Sequence, residues 1–339
     1  MKTRFLLLLL MPFICLAQVK DGGLPKQKET DCALEAKQAD SLVKLADYDA
    51  AYKILKNTTC ISESHYFSLE KVLTAKLATN LSDTDRQTYV GELLKLYTTD
   101  DKNFPGNRHS NLVKRAQALQ KYKGDKTDEV FNLLDRAFKE DRANFSDAAA
   151  LYQYFQFYIA KFKAGEKGFT EENLIEKQDD LLIQLSKSGE DKSDARTATK
   201  NILASTGKIL TCEKLEAYYE KKFDANKTNI EWLAQAAVNL IAKNCTAAQT
   251  ATKLASGWYG LQPDARSAYA MGEVSIRSKN NQAKAPAYFN ESAEKQTDAV
   301  KKSETYLMLA SLFTSSDIVK SIGYVKQAIA LRPDYGRPY

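Results

Sequence analysis

The sequence predicts an all-α protein built as a right-handed α-solenoid of antiparallel helical hairpins. Apolar residues recur at the 3.6-residue spacing of amphipathic helices almost everywhere after residue 30, in blocks of roughly 12 to 20 residues. With only 14 Gly and 7 Pro in 339 residues, the chain has too few turn formers for an all-β sandwich. The polar breaks between blocks are short, as at 100–102 and 189–191, so successive helices are expected to fold back on one another.

The apolar blocks predict about sixteen helices in chain order. Their approximate ranges are 31–45, 48–58, 62–79, 83–99, 108–121, 127–140, 147–164, 170–187, 194–209, 212–224, 229–243, 246–259, 265–278, 282–295, 300–314 and 317–331. Residues 18–30 are rich in Lys, Gly and Gln and predict a disordered lead-in. The helical array is therefore expected to occupy residues 31–339.

The amino-terminal segment has the layout of a secretory signal peptide over residues 1–17. Lys2 and Arg4 precede an apolar stretch over 5–16, and Ala17 supplies a small residue before the cut. The stretch is shorter than the roughly 20 residues of a membrane-spanning helix, and no later apolar run reaches that length. A lipoprotein signal with Cys15 as the lipidated residue is the alternative, although bulky residues stand where that signal has small ones. We expect an exported chain, periplasmic or associated with the cell envelope, without a transmembrane segment.

The four cysteines of the mature chain predict two disulfides in an oxidising compartment. Cys32 and Cys60 lie at the outer ends of two predicted antiparallel helices of about equal length, so both should reach the same end of that hairpin. The same construction brings Cys212 and Cys245 together. Each bridge would close a loop of about 30 residues and stabilise the fold by about 3 kcal/mol. Four buried unpaired thiols are the alternative, and metal ligation lacks the usual CxxC spacing.

The carboxy-terminal segment carries a repeat pattern. Small and aromatic residues recur at positions that place them at the crossing of two helices: Tyr306, Leu309, Ala310 and Phe313, then Ser321, Val325, Ala328 and Pro333. The second half of the pattern recurs upstream, at Ala285, Phe289 and Ser292 and again at Val130, Leu134 and Ala137. This spacing resembles the tetratricopeptide repeat, in which small residues at the crossing let two helix backbones approach.

The layout as a whole also resembles exported tetratricopeptide repeat (TPR) proteins of the Bacteroidota. The segments that carry this resemblance are 138–145, 209–215 and 331–339. The resemblance implies a helical repeat architecture, export and a binding role, with no defined activity. Residues 333–339 read as the lead-in to another first helix, so we expect the array to be truncated at this end.

One helix is a candidate binding element. In Leu151–Phe162, Tyr154, Tyr158 and Phe162 form an i, i+4, i+8 stripe, and Tyr152 and Phe155 form another. One stripe must pack on neighbouring helices, and the other is free to face the groove of the array. We predict a weak binding site at Tyr154, Tyr158 and Phe162. The alternative is that both stripes are buried.

The remaining composition gives little sign of chemistry. The chain has 49 Lys+Arg against 43 Asp+Glu, mixed along its length, which is weak support for a nucleic-acid partner. Its 2 His make imidazole catalysis or a zinc site improbable, and no Walker, GxGxxG, HExxH or GxSxG motif is present. We predict no enzyme activity, no cofactor and no metal site.

These observations leave three functions open. The leading one is a non-catalytic protein–protein interaction scaffold that binds an envelope or periplasmic protein or peptide in the groove of its repeats. The second is a carbohydrate-capture protein with aromatic platforms, favoured by 18 Tyr and 14 Phe and opposed by only 2 Trp. The third is the non-catalytic part of a larger enzyme.

Overall fold

The computed structural model describes residues 26–57, 62–105, 110–124, 126–187, 193–245, 249–278 and 281–333. These residues form sixteen α-helices and two short 3-10 turns, and they contain no β-strand. The all-α prediction is therefore confirmed. The chain divides after Asn111 into two compact units, which are described separately.

The first unit contains four of these helices. They are α1 (Lys26–Lys44), α2 (Tyr48–Asn57), α3 (Glu63–Leu77) and α4 (Asp83–Asn103). Helices α1, α2 and α3 pack on one another, and α3 also packs on α4. Ala39, Ala51, Leu55 and Val72 form the buried centre of the first three helices. Small alanines at this crossing let α1 and α2 approach closely.

The second unit contains twelve of the helices within the described ranges. They are α5 (Leu112–Tyr122), α6 (Thr127–Glu140), α7 (Ala148–Lys163), α8 (Glu171–Lys187), α9 (Ser193–Thr206), α10 (Cys212–Asn226), α11 (Ile230–Ala242), α12 (Gln249–Leu261), α13 (Ala265–Arg277), α14 (Ala285–Lys295), α15 (Ala299–Phe313) and α16 (Ile318–Leu331). Helices that follow one another in the chain pack together in pairs. From α11 onward the pairs α11–α12, α13–α14 and α15–α16 also pack on one another in order. This unit is thus a run of stacked helical hairpins, the arrangement of an α-solenoid.

Hairpin crossings in this unit depend on small residues, among them Ser292 and Ser321, which the repeat pattern in the sequence identified. A Cβ added at Gly272 of α13 would lie 2.6 Å from the Phe289 ring of α14, which is fully buried. Serines serve as the other small residues, one in the same α13–α14 pair and one in the α15–α16 pair, and their hydroxyls donate to backbone carbonyls. Ser292 donates to Ala265 at 2.7 Å, and Ser321 donates to Ala310 at 2.9 Å. A small residue therefore admits the neighbouring helix without leaving a backbone carbonyl unsatisfied.

The first helix begins earlier than the sequence analysis predicts. Helix α1 starts at Lys26, so residues 26–30 of the expected lead-in are helical. These five residues contain neither Gly nor Pro, and nothing in them interrupts a helix that is held by packing further along. The signal-peptide prediction at residues 1–17 and the expected continuation after 333 fall outside the described residues.

A disulfide joins Cys212, the first residue of α10, to Cys245, which follows α11. Their Cα atoms lie 5.4 Å apart. The bridge closes the hairpin at the end where the two helices of similar length return to one another. Cys32 is also disulfide-bonded and fully buried, whereas Cys60, its predicted partner, lies outside the described residues.

No helix among the described residues has both the length and the apolar character that crossing a membrane requires.

Candidate functional site

The aromatic stripe of α7 lies mainly in the core of the second unit. Tyr154 is fully buried, Tyr158 is 8% exposed and Phe162 is half-buried. Helix α7 packs against α6, α8 and α9, so little of its circumference remains for a ligand. This corrects the expectation that Tyr154 and Tyr158 face a groove: both are covered by neighbouring helices.

A lysine side chain of α8 lies against the tyrosines of this stripe. The Lys177 ammonium, on α8, lies 4.6 Å from the ring centre of Phe138, 5.1 Å from that of Tyr154 and 5.6 Å from that of Tyr158. Burial lowers the pKa of Lys177, while the carboxylates of Asp180 and Asp135 oppose this shift. The three rings hold the cation by their electron-rich faces, as in cation–π sites generally. We call Phe138, Tyr154, Tyr158 and Lys177 the aromatic cage.

An open groove lies elsewhere in the second unit, between α8, α9, α11, α13 and α15. It encloses about 430 Å³. We call it the basic groove, and its lining is Leu182, Leu185, Ser186, Ala195, Arg196, Thr199, Lys200, Leu203, Gln235, Val238, Asn239, Arg266, Asp298, Val300, Lys301 and Glu304. Val238 and Val300 are 37% and 38% exposed, so the groove offers aliphatic surface to a ligand.

Cations outnumber carboxylates in the basic groove. Arg196 and Lys200 stand one turn apart on α9, and the described residues give neither of them an ion-pair partner. The Arg266 guanidinium lies 5.7 Å from the ring centre of Trp258. Burial lowers the pKa of Lys301, and the nearby carboxylate of Glu304 opposes the shift. The groove thus presents four cationic side chains and two acidic ones around an aliphatic floor.

A buried polar network supports one wall of the basic groove. Gln235 donates to Asn239 at 2.9 Å, and Asn239 in turn donates to Asp179 and to the Tyr219 hydroxyl. Tyr219 donates to Asp179 at 3.0 Å. Burial raises the pKa of Asp179 well above its ordinary value, although both donors act in the opposite direction. These bonds fix the Asn239 amide, and through it the Gln235 side chain at the groove surface.

A second cleft, of about 470 Å³, lies on the other side of α9. We call it the Tyr152 cleft, and its lining is Ser146, Asp147, Ala148, Ala149, Tyr152, Asp194, Ala195, Thr197, Ala198 and Asn201. One aromatic ring, a floor of alanines and several oxygen-bearing side chains line this cleft. Asp147 also caps α7, because its carboxylate accepts from the Ala150 N–H at 2.8 Å.

Few described residues suit catalysis or metal binding. Asp179 and Tyr219 have strongly raised pKa values but are buried in the network described above. His65 of the first unit is 6% exposed, and burial lowers its pKa; His109 lies outside the described residues. Within these residues, one group of three side chains has metal-ligand spacing, Cys212, Glu216 and Cys245, and the disulfide occupies both sulfurs.

The basic groove was not evident in the sequence because its lining comes from five helices spread over residues 182–304. Arg196 and Lys200 carried a local signal, an i, i+4 cationic pair on one helix face. Val238 and Val300 carried none, since an aliphatic residue on a helix normally predicts core. Only the stacking of the hairpins places these residues around one opening.

Fold and site together define a helical repeat protein of stacked hairpins with an open groove. No protein-family model matches the sequence. No curated protein matches it either.

Among solved structures, the chain is similar to a tetratricopeptide repeat protein from Parabacteroides merdae, at 13% identity over 89% of this chain and 99% of that one, with a TM-score of 0.36. It is also similar to the nuclear import adaptor Nro1 of S. pombe, at 11% identity over 89% and 98% of the two chains, with a TM-score of 0.30. At these low TM-scores the likeness is limited, and the helical hairpin architecture rests on the packing described above.

Proposed function

We propose that this chain is an exported, non-catalytic protein-interaction scaffold that binds a segment of a partner protein in the basic groove. The observation that carries the proposal is the convergence of five helices on an open groove with two exposed valines. A rigid run of helical hairpins can present such a groove without ordering a loop on binding, which keeps the entropic cost of association low.

The proposed location of the protein is the one that the sequence predicts, whereas the proposed binding site is a different one. Export to the periplasm or cell envelope rests on the signal-peptide pattern at residues 1–17 and is supported by the disulfides, which persist in oxidising compartments. The binding site moves from the stripe on α7 to the basic groove, because Tyr154 and Tyr158 are buried.

Site-specific photo-crosslinking in the native cell tests this proposal. A photoreactive phenylalanine analogue replaces Val238 or Val300 in the full-length chain, and adducts are identified by mass spectrometry. The matched control is Ile230, which is on the same helix as Val238 and 38% exposed but does not line the groove. We expect the same envelope protein to be captured from both valine positions and not from Ile230. Equal capture from all three positions, or from none, contradicts the proposal.

Carbohydrate capture is a second candidate, and the Tyr152 cleft favours it. A sugar ring packs on an aromatic face while its hydroxyls bond to side chains such as Asp194 and Asn201. Calorimetric titration with envelope oligosaccharides tests this function. Saturable binding that is lost in Tyr152→Ala and kept in Arg196→Glu would place the ligand in this cleft, and absence of binding heat would remove the candidate.

A further inference from the structure

We infer that the basic groove selects an acidic segment of its partner, an extended peptide that carries Asp or Glu around an aliphatic side chain. This inference rests on the proposed function and adds the chemistry of the partner to it. Its support comes from the charges that remain available in the groove, from the helix ends that meet there and from the composition of the floor.

The available charge of the groove is positive. Asp298 caps α15, and its carboxylate accepts from the Lys301 N–H at 2.9 Å. Glu304 lies near the Lys301 ammonium. Arg196 and Lys200, on α9, form no ion pair with a carboxylate of the described residues. An incoming carboxylate would therefore meet cations that no acidic group of the described residues neutralises, which is the arrangement that favours acidic partners.

The N-termini of three helices add to the positive electrostatic potential of the groove. Arg196 lies in the first turn of α9, Arg266 in the first turn of α13 and Lys301 in the first turn of α15. Unpaired N–H groups give a helix N-terminus a partial positive charge, which falls off within about one turn. Three such turns border the groove, although the Asp264 and Asp298 caps at two of them, and Asp194 in the first turn of α9, offset part of the effect.

The floor selects a peptide over other polyanions. Leu182, Leu185 and Leu203 line the groove together with the exposed Val238 and Val300, so its aliphatic part fits the side chain of Leu, Ile or Val. The lining contains no aromatic ring, whereas single-stranded nucleic acids bind by stacking their bases on aromatic side chains. The Gln235 amide, fixed through Asn239, offers its carbonyl oxygen to a backbone N–H of an extended chain.

The test selects peptides from a random twelve-residue library on the immobilised full-length chain. Peptides that also bind the double variant Arg196→Glu/Lys200→Glu are removed. The strongest peptide, its Asp→Asn and Glu→Gln counterpart and a 20-nucleotide oligo-dT are then measured by fluorescence anisotropy. The control variant is Lys163→Glu/Lys326→Glu, which makes the same change in charge at two exposed positions outside the groove. Circular dichroism and thermal unfolding establish that both variants fold.

We expect the selected peptides to be enriched in Asp and Glu and to contain an aliphatic residue. Their affinity should fall about tenfold or more in Arg196→Glu/Lys200→Glu, and for the amide counterpart, while changing less than about twofold in the control. Higher salt should weaken binding because the contacts lie near the surface.

Three results would overturn the inference. Selection of neutral or basic peptides that need the groove would leave the proposed function standing and remove the acidic preference. Oligo-dT binding as tight as the best peptide, and lost in the same variant, would indicate a general polyanion site. Failure to select any groove-dependent peptide would show that no short segment is recognised, and photo-crosslinking at Val300 would then decide separately whether the proposed function also fails.

Discussion

The Lys177 ammonium lies 5.1 Å from the centre of the Tyr154 ring, and the Tyr154 hydroxyl donates to an Asp135 carboxylate oxygen at 2.6 Å. One tyrosine thus contacts a half-buried cation through its ring face and an anion through its hydroxyl. The aromatic stripe that suggested a ligand site in the sequence instead joins α6, α7 and α8. An i, i+4 pattern of tyrosines on a helix cannot distinguish these two roles.

Tyr154→Phe should therefore weaken the fold and leave partner binding unchanged. The substitution removes a partly buried hydrogen bond to a charged group, which costs about 1–3 kcal/mol of unfolding free energy. Urea unfolding followed by circular dichroism measures the loss. Tyr152→Phe is the matched control on the same helix, because its ring is half-buried and borders an open cleft. Equal stability of the two variants, or lost partner capture in Tyr154→Phe, would contradict this role.

Gly272→Ala should destabilise the α13–α14 hairpin. The new Cβ would lie 2.6 Å from the fully buried Phe289 ring, so the helices must shift apart at an estimated cost of about 1–3 kcal/mol. Gly323→Ala is the control, since its Cβ would meet nothing within 4 Å in the interior of α16. That variant should be neutral or slightly more stable. Partial recovery in Gly272→Ala/Phe289→Leu would identify the ring as the obstacle, and no recovery would argue against it.

Replacing both Cys212 and Cys245 by Ala should lower stability by about 3 kcal/mol, because the bridge spans 33 residues and restricts the unfolded chain. Thermal unfolding without reductant measures the change and leaves the Cys32 disulfide in place. A melting temperature equal to that of the wild type would show that the hairpin does not depend on this bridge.

His65 should make the first unit acid-sensitive. Burial lowers the pKa of His65 below its ordinary value of 6.5, so the folded state holds the imidazole neutral. The unfolded chain therefore binds more protons than the folded chain at acid pH. The contribution of His65 to the unfolding free energy is fully present above pH 6.5 and is lost as the pH falls below that value. Between about pH 7 and about pH 5, which lie on either side of the ordinary pKa, the unfolding free energy of wild type should decrease more than that of His65→Phe, measured by urea titration. Parallel pH profiles would contradict the prediction.

Asp179 should act in the opposite direction. Burial raises its pKa in the folded state, so the unfolded chain loses this proton first as the pH rises. The contribution of Asp179 to the unfolding free energy is present at acid pH. It is lost as the pH rises from about 4 through the raised pKa that Asp179 has in the folded state. Asp179→Asn cannot titrate, so the stability of wild type relative to this variant should be greater at about pH 4 than at about pH 7. A pH-independent difference would show that Asp179 stays ionised in the fold.

The helices themselves were predictable because the signal is local. The spacing Ala285, Phe289 and Ser292 identified the buried face of α14, and all three side chains are buried. The pairing of Cys212 with Cys245 followed from the similar lengths of two helices. The prediction at Tyr154 and Tyr158 failed for a different reason: periodicity indicates that one face of a helix is apolar, but not how many neighbours cover that helix. Helix α7 contacts α6, α8 and α9, so its aromatic faces are largely enclosed.

The sequence alone thus determined the helices, their hairpin pairing and the small residues at their crossings, since each depends on residues close together in the chain or on a short connection. The tertiary structure alone decided which surfaces remain open. Arg196, Val238, Arg266 and Val300 meet in one groove only because four hairpins stack with a particular offset, and that offset depends on the packing of many side chains at once. Lys177 likewise lies beside the rings of Phe138, Tyr154 and Tyr158 because of contacts between helices, and no single segment of the sequence specifies those contacts.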